Sequence, residues 1–316
     1  MENSAKHTVV AFGEVLWDLL PTGLLIGGAP FNFANRLHEL GHNSLIVSRV
    51  GIDSLGQQAI DRIKELHLST TYLQRDNNYP TGTVEVFLDE NKNPDYTILP
   101  HVAYDYIAYT EPLGHLMKEA VCLCFGSLAQ RSAISRNTLY QLLSEFSGSY
   151  TFFDVNLRKN CCTEETITSS AEKANILKLN HEEILVLGQI YGWHEKDLLI
   201  IAERLVKEAH LLYCLVTLSN KGVLAVSKSS EKVYVPGFRV NMVDPLGAGD
   251  AFSAGFMHSI LSGSSFQEAC FFGNALGALV VEQQGATQPL QPGKVDQLLK
   301  NIEFGAVDER FRSLMK

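Results

Sequence analysis

Short apolar runs alternate with amphipathic segments along nearly the whole chain, and this alternation limits the folds that the sequence can adopt. Apolar runs of about 4–8 residues are typical of buried strands, and apolar residues at helical spacing are typical of helices that cover a sheet. We therefore predict one α/β domain over residues 1–316, with a mostly parallel central sheet and helices on both faces. The predicted strands are Thr8–Phe12, Ser44–Val50, Ala120–Phe125, Tyr150–Val155, Ile176–Leu179, Leu212–Leu218 and Gly222–Ser227. The predicted helices are Phe31–Leu40, Gly56–Glu65, Arg136–Phe146, Leu198–Glu208 and one that continues from Asp250.

One stretch departs from this alternation and predicts a β-hairpin. Thr83–Asp89 reads Thr-Val-Glu-Val-Phe-Leu-Asp, and Tyr96–Leu99 follows after the polar segment Glu-Asn-Lys-Asn-Pro. Two strand-like runs separated by polar turn residues are the usual signal of a hairpin. Thr22–Ile26 adds a further short strand. We interpret these strands, within about residues 19–27 and 81–101, as a small β lid over the site rather than a separate domain.

Composition and charge argue against several functional classes. The 316 residues carry a formal net charge of −9, with 46% hydrophobic and 19% charged residues. A pI of about 5.6 argues against a broad basic surface, so we expect neither a nucleic-acid partner nor an anionic membrane surface. The first residues do not resemble a signal peptide, and no apolar stretch reaches the length of a membrane span.

The six cysteines predict a reducing compartment. Cys122 and Cys124 would share one face of a strand, adjacent Cys161 and Cys162 are poorly placed to bridge each other, and no CxxC pair occurs. Structural thiols in a cytoplasmic protein explain this pattern most simply.

The most informative segment reads Val243-Asp244-Pro245-Leu246-Gly247-Ala248-Gly249-Asp250-Ala251-Phe252. Its Gly-Ala-Gly turn opens directly into a helical pattern, and glycines allow a ligand to approach the backbone closely. The free N–H groups and the dipole of a helix start form an anion-binding site. A carboxylate at that position suits a base that accepts a proton from an attacking hydroxyl. The alternative is that Asp250 only caps the helix.

This segment closely resembles the Asp-x-x-Gly-Ala-Gly-Asp signature of PfkB-type carbohydrate kinases, the ribokinase and fructokinase family. The resemblance extends from Phe12-Gly13-Glu14 to Gly285-Ala286-Thr287, so it implies a ribokinase-like fold for nearly the whole chain. Pro245 replaces a threonine that is usual in the family, and the GxxxxGK[ST] loop of P-loop enzymes is absent. The family's catalytic base and phosphoryl-binding amides map to Asp250 and to Gly247, Ala248 and Gly249.

A second segment, Gly27-Gly28-Ala29-Pro30-Phe31-Asn32, resembles the family's substrate-binding signature. The resemblance implies that Gly27, Gly28, Asn32 and Asp18 bind the sugar. The amide of Asn32 and the carboxylate of Asp18 both suit a polyhydroxylated ligand. From the residues alone, Asn32 is equally well explained as a helix cap and Asp18 as a turn residue.

The run Asp154-Val155-Asn156-Leu157-Arg158 ends another predicted strand. Its Asp-x-Asn-x-Arg pattern is shared by the fructokinase and 2-keto-3-deoxygluconate kinase branches, which implies a catalytic Arg158 with Asn156 beside the substrate. A guanidinium can grip anionic oxygens, although an ordinary surface arginine is the alternative. The loop Val102–Tyr106 also looks fructokinase-like, and we expect it to add Tyr or Asp contacts from the lid.

Further segments resemble the family's nucleotide and cation sites. The implied cofactors are ATP and Mg²⁺, and Glu183 of the Asn-x-x-Glu element would hold Mg²⁺ through water. A capped helix with an acidic first turn is the alternative for that element. The resemblance also implies a monovalent cation such as K⁺ between Asp244 and Gly285. The implied nucleotide-binding residues are Asn180, Thr217, Ser219, Lys221, Gly222 and Asn274, of which Ser219 replaces a family glycine and Asn274 equally suits helix packing.

Together these motifs predict ATP-dependent phosphorylation of a small sugar, with fructose as the first candidate. 2-Keto-3-deoxygluconate, ribose and nucleosides stay open as alternatives within the class. A non-catalytic relative that acts as a regulator is an alternative of a different class, and the presence of Asp250, Arg158 and Glu183 argues against it. A nucleotide-binding dehydrogenase is disfavoured because no GxGxxG follows the first strand. We expect a homodimer that forms through the lid.

Overall fold

The apolar runs form two β-sheets in the computed structural model, which describes residues 6–315 apart from 21–22, 89–93, 160 and 292. The strands are β1 (Thr8–Phe12), β2 (Leu16–Leu20), β3 (Gly23–Gly27), β4 (Asn43–Gly51), β5 (Leu73–Asp76), β6 (Gly82–Leu88), β7 (Pro94–Ile98), β8 (Cys122–Gly126), β9 (Tyr150–Asp154), β10 (Ile176–Asn180), β11 (Tyr213–Thr217), β12 (Val223–Ser227) and β13 (Lys232–Val235). The helices are α1 (Ala29–Glu39), α2 (Ser54–Glu65), α3 (Glu111–Glu119), α4 (Ala133–Glu145), α5 (Glu164–Lys173), α6 (Glu183–Ile190), α7 (Leu198–Glu208), α8 (Ala248–Leu261), α9 (Phe266–Val280) and α10 (Lys294–Lys300).

The large sheet has nine strands in the order β13-β12-β11-β10-β9-β8-β1-β4-β5. Every neighbouring pair from β11 to β5 is parallel, whereas β12 and β13 run antiparallel at one edge. In the middle of the sheet, Ala11 of β1 lies opposite Cys124 on one side and Ile46 on the other. The predicted mostly parallel sheet is confirmed, and the loops that leave its parallel strands all emerge at the same carboxyl edge.

Helices cover both faces of this sheet, as predicted. Successive residues of β1 point to opposite faces, so Val9 and Ala11 join one core while Val10 and Phe12 join the other. The first core contains residues of α1, α2, α8 and α9, and the second contains residues of α3, α4, α5, α6 and α7. The edge strands β5 and β13 are not predicted by the sequence pattern, because an edge strand needs fewer apolar residues than a central one.

The second sheet has four strands in the order β3-β2-β6-β7. The predicted hairpin is the antiparallel pair β6–β7, and its polar turn lies outside the described residues. Its base is anchored to the large sheet, because Oγ1 of Thr81, just before β6, accepts the amide of Gly51 at the end of β4 at 3.0 Å. Strand β2 begins at Leu16, so the sheet starts earlier than the predicted boundary near residue 19.

No helix in the described ranges is long and apolar enough to cross a membrane. All six cysteines lie among the described residues, and all are free. Burial raises the pKa of Cys214 to about 12, which is typical of a packed thiol rather than a reactive one.

Helices α8 and α9 approach each other closely along a seam of glycines. A Cβ added at Gly273 of α9 would lie 2.8 Å from the carbonyl oxygen of Phe252, and one added at Gly277 would lie 2.9 Å from that of Ala248. Distances this short would force the backbones apart, so the seam depends on residues without a side chain. Because Ala248 is the first residue of α8, α9 also holds the start of α8 in place.

We expect Gly273→Ala to push α8 away from α9 and to lower the free energy of unfolding by about 1–3 kcal/mol, the usual cost of overpacking. The matched control is Gly188→Ala in α6, where the nearest atom to the new Cβ would be 3.6 Å away. In that helical position the new Cβ would make only ordinary van der Waals contacts, so alanine should be neutral or stabilise by up to about 1 kcal/mol. Urea unfolding of both variants measures the difference, and equal stabilities would contradict the packing argument.

Candidate active site

The predicted sugar, phosphate and nucleotide segments meet at the carboxyl edge of the large sheet. Strand β9 ends at Asp154 and leads to Arg158, and the neighbouring β10 ends at Asn180. The start of α8 lies against this edge, since a Cβ added at Gly249 would be 2.9 Å from Nζ of Lys178 on β10. The topology therefore brings together residues that are far apart in the sequence.

The Gly-Ala-Gly segment forms the first turn of α8. Gly247 is the N-cap, with φ of 79° and no side-chain cap, and the helix begins at Ala248. Asp250 is therefore the third helical residue, and the alternative that it caps α8 is wrong. A Cβ at Gly247 would overlap the side chain of Ala286, so glycine is required there by both conformation and space. The first turn of a helix has backbone amides without helical acceptors, and here that of Ala248 donates to the carbonyl oxygen of Pro245 at 3.3 Å.

Asp250 is joined to Asn32 by a 2.7 Å hydrogen bond from Nδ2 to Oδ2. Burial raises the pKa of Asp250 to about 6, and the carboxylate of Asp154 raises it as well. Lys178, the hydrogen bond from Asn32 and the charge of Arg158 oppose this rise. The carboxylate is thus mostly ionised at neutral pH but more basic than an ordinary Asp, which suits a general base.

The predicted sugar segment forms the beginning of α1. The helix starts directly after its N-cap Gly28, so Asn32 lies inside the helix and the alternative that it caps α1 is wrong. Gly28 has φ of 117°, and an added Cβ would overlap the carbonyl oxygen of Glu14. Asp18 on β2 lies beside Gly27 on β3. A Cβ added at Gly27 would be 3.0 Å from Oδ2 of Asp18. The two glycines therefore let the chain pass close to both carboxylate residues.

Asp18 and Arg158 belong to one electrostatic cluster. Asp18 is 8% exposed, and burial raises its pKa to about 6, whereas the charge of Arg158 lowers it. Arg158 also lowers the pKa of Glu14 and of Asp250. The exposed guanidinium therefore lies within electrostatic reach of three carboxyl groups and is not an isolated surface charge.

The loop after β9 turns sharply before it reaches Arg158. Asn156 has φ of 41°, and its carbonyl oxygen accepts a 3.2 Å hydrogen bond from Oγ of Ser127. Arg158 also lines a cavity of about 500 Å³ between this loop, α5 and α6. The structure thus places Asn156 and Arg158 on the same loop at the carboxyl edge.

The expectation that the loop Val102–Tyr106 offers Tyr or Asp contacts to a ligand is wrong for Tyr104 and Asp105. Tyr104 is fully buried, and Asp105 is paired with Arg131 through hydrogen bonds of 2.7 and 2.9 Å. Arg131 also donates to the carbonyl oxygen of Leu99, directly after β7. These residues therefore fasten the base of the small sheet, a function that depends on burial and could not be inferred from the motif.

The Asn-x-x-Glu element is a reciprocal cap at the start of α6. Asn180 Oδ1 accepts the amide of Glu183 at 2.8 Å, and Glu183 Oε2 accepts the amide of Asn180 at 2.8 Å. Glu183 Oε1 accepts the amide of Leu157 at 2.8 Å. Within the described ranges no three His, Cys, Asp or Glu side chains converge on a metal site. A single carboxylate fits Mg²⁺ held mainly by water and phosphate oxygens, which is the pattern this ion prefers.

The predicted nucleotide loop is a short 3₁₀ turn between β11 and β12. Ser219 has φ of 55°, the left-handed conformation that favours the glycine usual in the family. Gly222 has φ of 91°, and an added Cβ would overlap the carbonyl oxygen of Val235. Thr217 Oγ1 donates to a backbone carbonyl of β10 at 3.3 Å, and Lys221 Nζ lies 3.7 Å from Asp308. The backbone thus keeps the turn despite the serine.

Two further predicted residues lie near α8. Asn274 of α9 donates from Nδ2 to the carbonyl oxygen of Pro236 at 2.8 Å. It therefore does pack α9 against the loop that follows β13. Asp244 accepts the amide of Gly285 on Oδ2 at 2.9 Å and the amide of Leu246 on Oδ1 at 3.0 Å. The two loops predicted to enclose a monovalent cation are therefore in direct contact.

Sequence reasoning did not identify the buried ion pair between Lys178 and Asp154. Lys178 Nζ lies 2.9 Å from Asp154 Oδ1, and Ser253 of α8 donates to Asp154 Oδ2 at 3.2 Å. Burial alone would lower the pKa of Lys178, but Asp154 and other nearby carboxylates raise it above its ordinary value. A lysine in the middle of the apolar run Ile-Leu-Lys-Leu was the available signal. The pair places the ammonium group of Lys178 beside Gly249, with its charge balanced by the carboxylate of Asp154.

Arg36 of α1 is a second residue that the sequence pattern did not reveal. Its side chain is 1% exposed and donates from Nη2 to the carbonyl oxygen of Ala286 at 2.5 Å and from Nη1 to that of Gln288 at 2.8 Å. Arg36 thus ties α1 to the loop that contains Gly285 and packs against Gly247.

The comparisons with known proteins agree with this geometry. Residues 20–292 match the family model described as pfkB family carbohydrate kinase. A sugar kinase of Pyrococcus horikoshii is 31% identical over 280 residues, which cover 88% of this chain and 86% of that protein. A fructokinase of Escherichia coli is 30% identical over 305 residues, which cover 91% and 96%. A crystal structure of Xylella fastidiosa fructokinase with bound ATP, 23% identical, superposes with a TM-score of 0.81 over 94% of this chain and 99% of that one. The chain therefore belongs to the pfkB family of carbohydrate kinases and is an ATP-dependent phosphotransferase with a ribokinase-like fold.

Proposed function

We propose that this kinase transfers the γ-phosphoryl group of ATP to a hydroxyl of fructose, with Asp250 as the base that accepts the hydroxyl proton. The observation that carries the proposal is the position of Asp250. It lies in the first turn of α8, where backbone amides face an anion, and it is hydrogen-bonded to Asn32 of the sugar segment. Because Asn32 donates to Oδ2 of Asp250, we assign Oδ1 of Asp250 to the sugar hydroxyl.

The transferred phosphoryl group is stabilised by positive charge and by amide donors. Catalysis of phosphoryl transfer relies mainly on positioning and on electrostatic stabilisation of the transition state. The amides of Gly247 and Gly249 supply the donors, since the amide of Ala248 donates to the carbonyl oxygen of Pro245 at 3.3 Å. Nζ of Lys178 lies 2.9 Å from the Cβ position of Gly249. Arg158 supplies a second cation, since its charge already acts on Asp250 in the free protein.

The remaining predicted residues hold the sugar, the nucleotide and the cations. Asp18 and the Gly27-Gly28 turn bind the sugar hydroxyls beside Asn32. Mg²⁺ supplies neutralisation of the phosphate charge, and Glu183 would contact it through water. The turn at residues 217–222 and Asn274 bind the nucleotide, and Asp244 and Gly285 flank a monovalent cation.

Fructose is supported by the motif combination Gly-Gly-Ala-Pro-x-Asn with Asp-x-Asn-x-Arg and by relatives that are named fructokinase. We expect kcat/KM to be highest for fructose in a panel that also contains glucose, ribose, adenosine and 2-keto-3-deoxygluconate. Release of ADP measures each rate. A clear preference for ribose, adenosine or the sugar acid would contradict the fructose assignment and leave the kinase family unaffected.

We expect Asp250→Asn to lower kcat by roughly 10²-fold or more, the usual effect of losing a general base. The amide keeps the size of the side chain and can still accept the hydrogen bond from Asn32, so binding of ATP and fructose should change little. Asp61→Asn, on the surface of α2, is the matched control and should keep full activity. Near-normal kcat in a folded Asp250→Asn protein would show that the base lies elsewhere.

The same variant should be more stable than the parent protein at high pH. The pKa of Asp250 rises from 3.8 to about 6 on folding, so the folded state binds this proton more tightly than the unfolded state. Ionisation of Asp250 therefore removes stability as the pH rises from about 4 to about 6. We expect ligand-free Asp250→Asn to gain on the order of 1–3 kcal/mol at pH 8, a gain that disappears near pH 4. Denaturant unfolding at both pH values measures it, and a loss of stability at pH 8 would refute the electrostatic account.

A further inference from the structure

Glu14 is a buried carboxylate beside the site, and no predicted role uses it. It follows β1 in the turn Gly13-Glu14 and is 3% exposed. Its Oε1 accepts the amide of Ala29, the first residue of α1, at 3.1 Å. The backbone amides of Glu14 itself and of Ala29 both lower the pKa of this carboxyl group, whereas Oε2 is buried and has no hydrogen-bond partner of ordinary geometry among the described residues. A buried carboxylate oxygen without a donor is costly, so the position calls for a donor that the chain itself does not supply.

A second acceptor without a donor lies on the same turn of α1. Asn32 uses Nδ2 to bond Asp250, but its Oδ1 is buried and has no partner in the described chain. Ala29, whose backbone amide bonds Glu14, and Asn32 both belong to the first turn of α1. The start of α1 is thus associated with two acceptors that both lack donors, one carboxylate oxygen and one amide oxygen. The carboxylate of Asp18 belongs to the same electrostatic cluster, since Arg158 and Asp250 act on both Glu14 and Asp18.

Contacts with the Gly28-Ala29 segment place Glu14 beside the site, and its charged neighbours are those of the site. Arg158 lowers the pKa of Glu14 and Asp250 raises it, while Glu14 in turn raises the pKa of Tyr104 at the base of the small sheet. Acceptors without donors suit a ligand that is rich in hydroxyl groups, since each hydroxyl can donate one hydrogen bond. They disfavour a phosphate or carboxylate at this point, because such a group would add acceptors and negative charge.

We propose that Glu14 is a further sugar-contacting residue, whose Oε2 accepts a hydrogen bond from a hydroxyl of the sugar while Oε1 keeps the amide of Ala29. This inference rests on the proposed function and adds a residue to its sugar site. The acceptors there suit a neutral sugar with adjacent hydroxyl groups, such as fructose. Asn32 Oδ1 accepts a second hydroxyl next to it. The alternative is that Glu14 only positions the Gly27-Gly28 turn through Ala29.

Glu14→Gln distinguishes these two functions. Glutamine can keep a carbonyl oxygen on the amide of Ala29, but it replaces the charged acceptor at Oε2 with an amide donor. Because hydrogen bonds to charged groups are the stronger ones, we expect the Kd for fructose to rise about 10-fold or more, with the Kd for the ATP analogue adenylyl imidodiphosphate within about 2-fold of the parent value. Calorimetric titration of the full chain measures both constants. The matched control is Glu145→Gln at the end of α4, a partly buried Glu that accepts the hydroxyl of Tyr109 at 2.9 Å.

A fructose Kd within about 2-fold of the parent value in folded Glu14→Gln would overturn the proposal in favour of simple positioning. A measurement on the unaltered chain keeps the proposal falsifiable if the variant does not fold. Burial raises the pKa of Glu14 to about 7, so a contact to the ionised form predicts that fructose binds more tightly as the pH rises from 6 to 8. Asp18 and Asp250 have lower pKa values, about 6, and both are still present in Glu14→Gln. The variant should therefore lose only the pH dependence of fructose binding that comes from Glu14.

A flat fructose Kd between pH 6 and pH 8 in the unaltered chain would also overturn the inference. The proposed function is contradicted if the unaltered chain phosphorylates no sugar in the panel. In that case the assignment of Glu14 is contradicted as well. Activity on fructose together with an unchanged Kd in Glu14→Gln would leave the proposed function intact and refute only the new residue.

Discussion

The hydrogen bond between Asn32 and Asp250 joins two segments that are 218 positions apart, and the candidate site depends on it. It requires α1 and the start of α8 to pack side by side over the carboxyl edge of the sheet. Arg36, one turn further along α1, holds the loop that packs against Gly247. The same helix therefore fixes both the carboxylate of Asp250 and the Gly-Ala-Gly turn, to which we assign the phosphoryl group. The glycine seam with α9 holds α8 from the other side.

The site concentrates carboxyl groups at a cost to stability. Burial raises the pKa of Glu14 to about 7 and those of Asp18 and Asp250 to about 6, so all three are harder to ionise in the folded protein. Strongly perturbed groups that gather in one place are typical of functional sites. Lys178 and Arg158 offset part of the negative charge. In our proposal, hydroxyl groups of the sugar donate to the acceptors that have no partner among the described residues.

The fold was largely predictable, because the apolar periodicity that marks buried strands and helices is a local property of the sequence. The site was predictable only in part. Glycine-rich turns reveal where the backbone approaches a ligand, but the helix start at Gly247 excluded a capping function for Asp250 only once the backbone was known. Burial explains two further results. Both carboxylate oxygens of Asp105 accept hydrogen bonds from Arg131, so Asp105 is not available to a ligand. Lys178 is buried and forms an ion pair with Asp154. The lysine within the apolar run Ile-Leu-Lys-Leu signals a buried charge, but the partner of such a residue lies in a distant segment that no local pattern identifies.

The central claim is that this chain moves the γ-phosphoryl group of ATP onto a hydroxyl of fructose. The most direct test is to incubate the purified chain with fructose, Mg²⁺, K⁺ and ATP that carries ¹⁸O in its γ-phosphoryl group, and to analyse the products by mass spectrometry. The account predicts one labelled fructose phosphate for each ADP formed, with the label in the phosphoryl oxygens. Formation of ADP with labelled inorganic phosphate and no sugar phosphate, or no ADP at all, would contradict it.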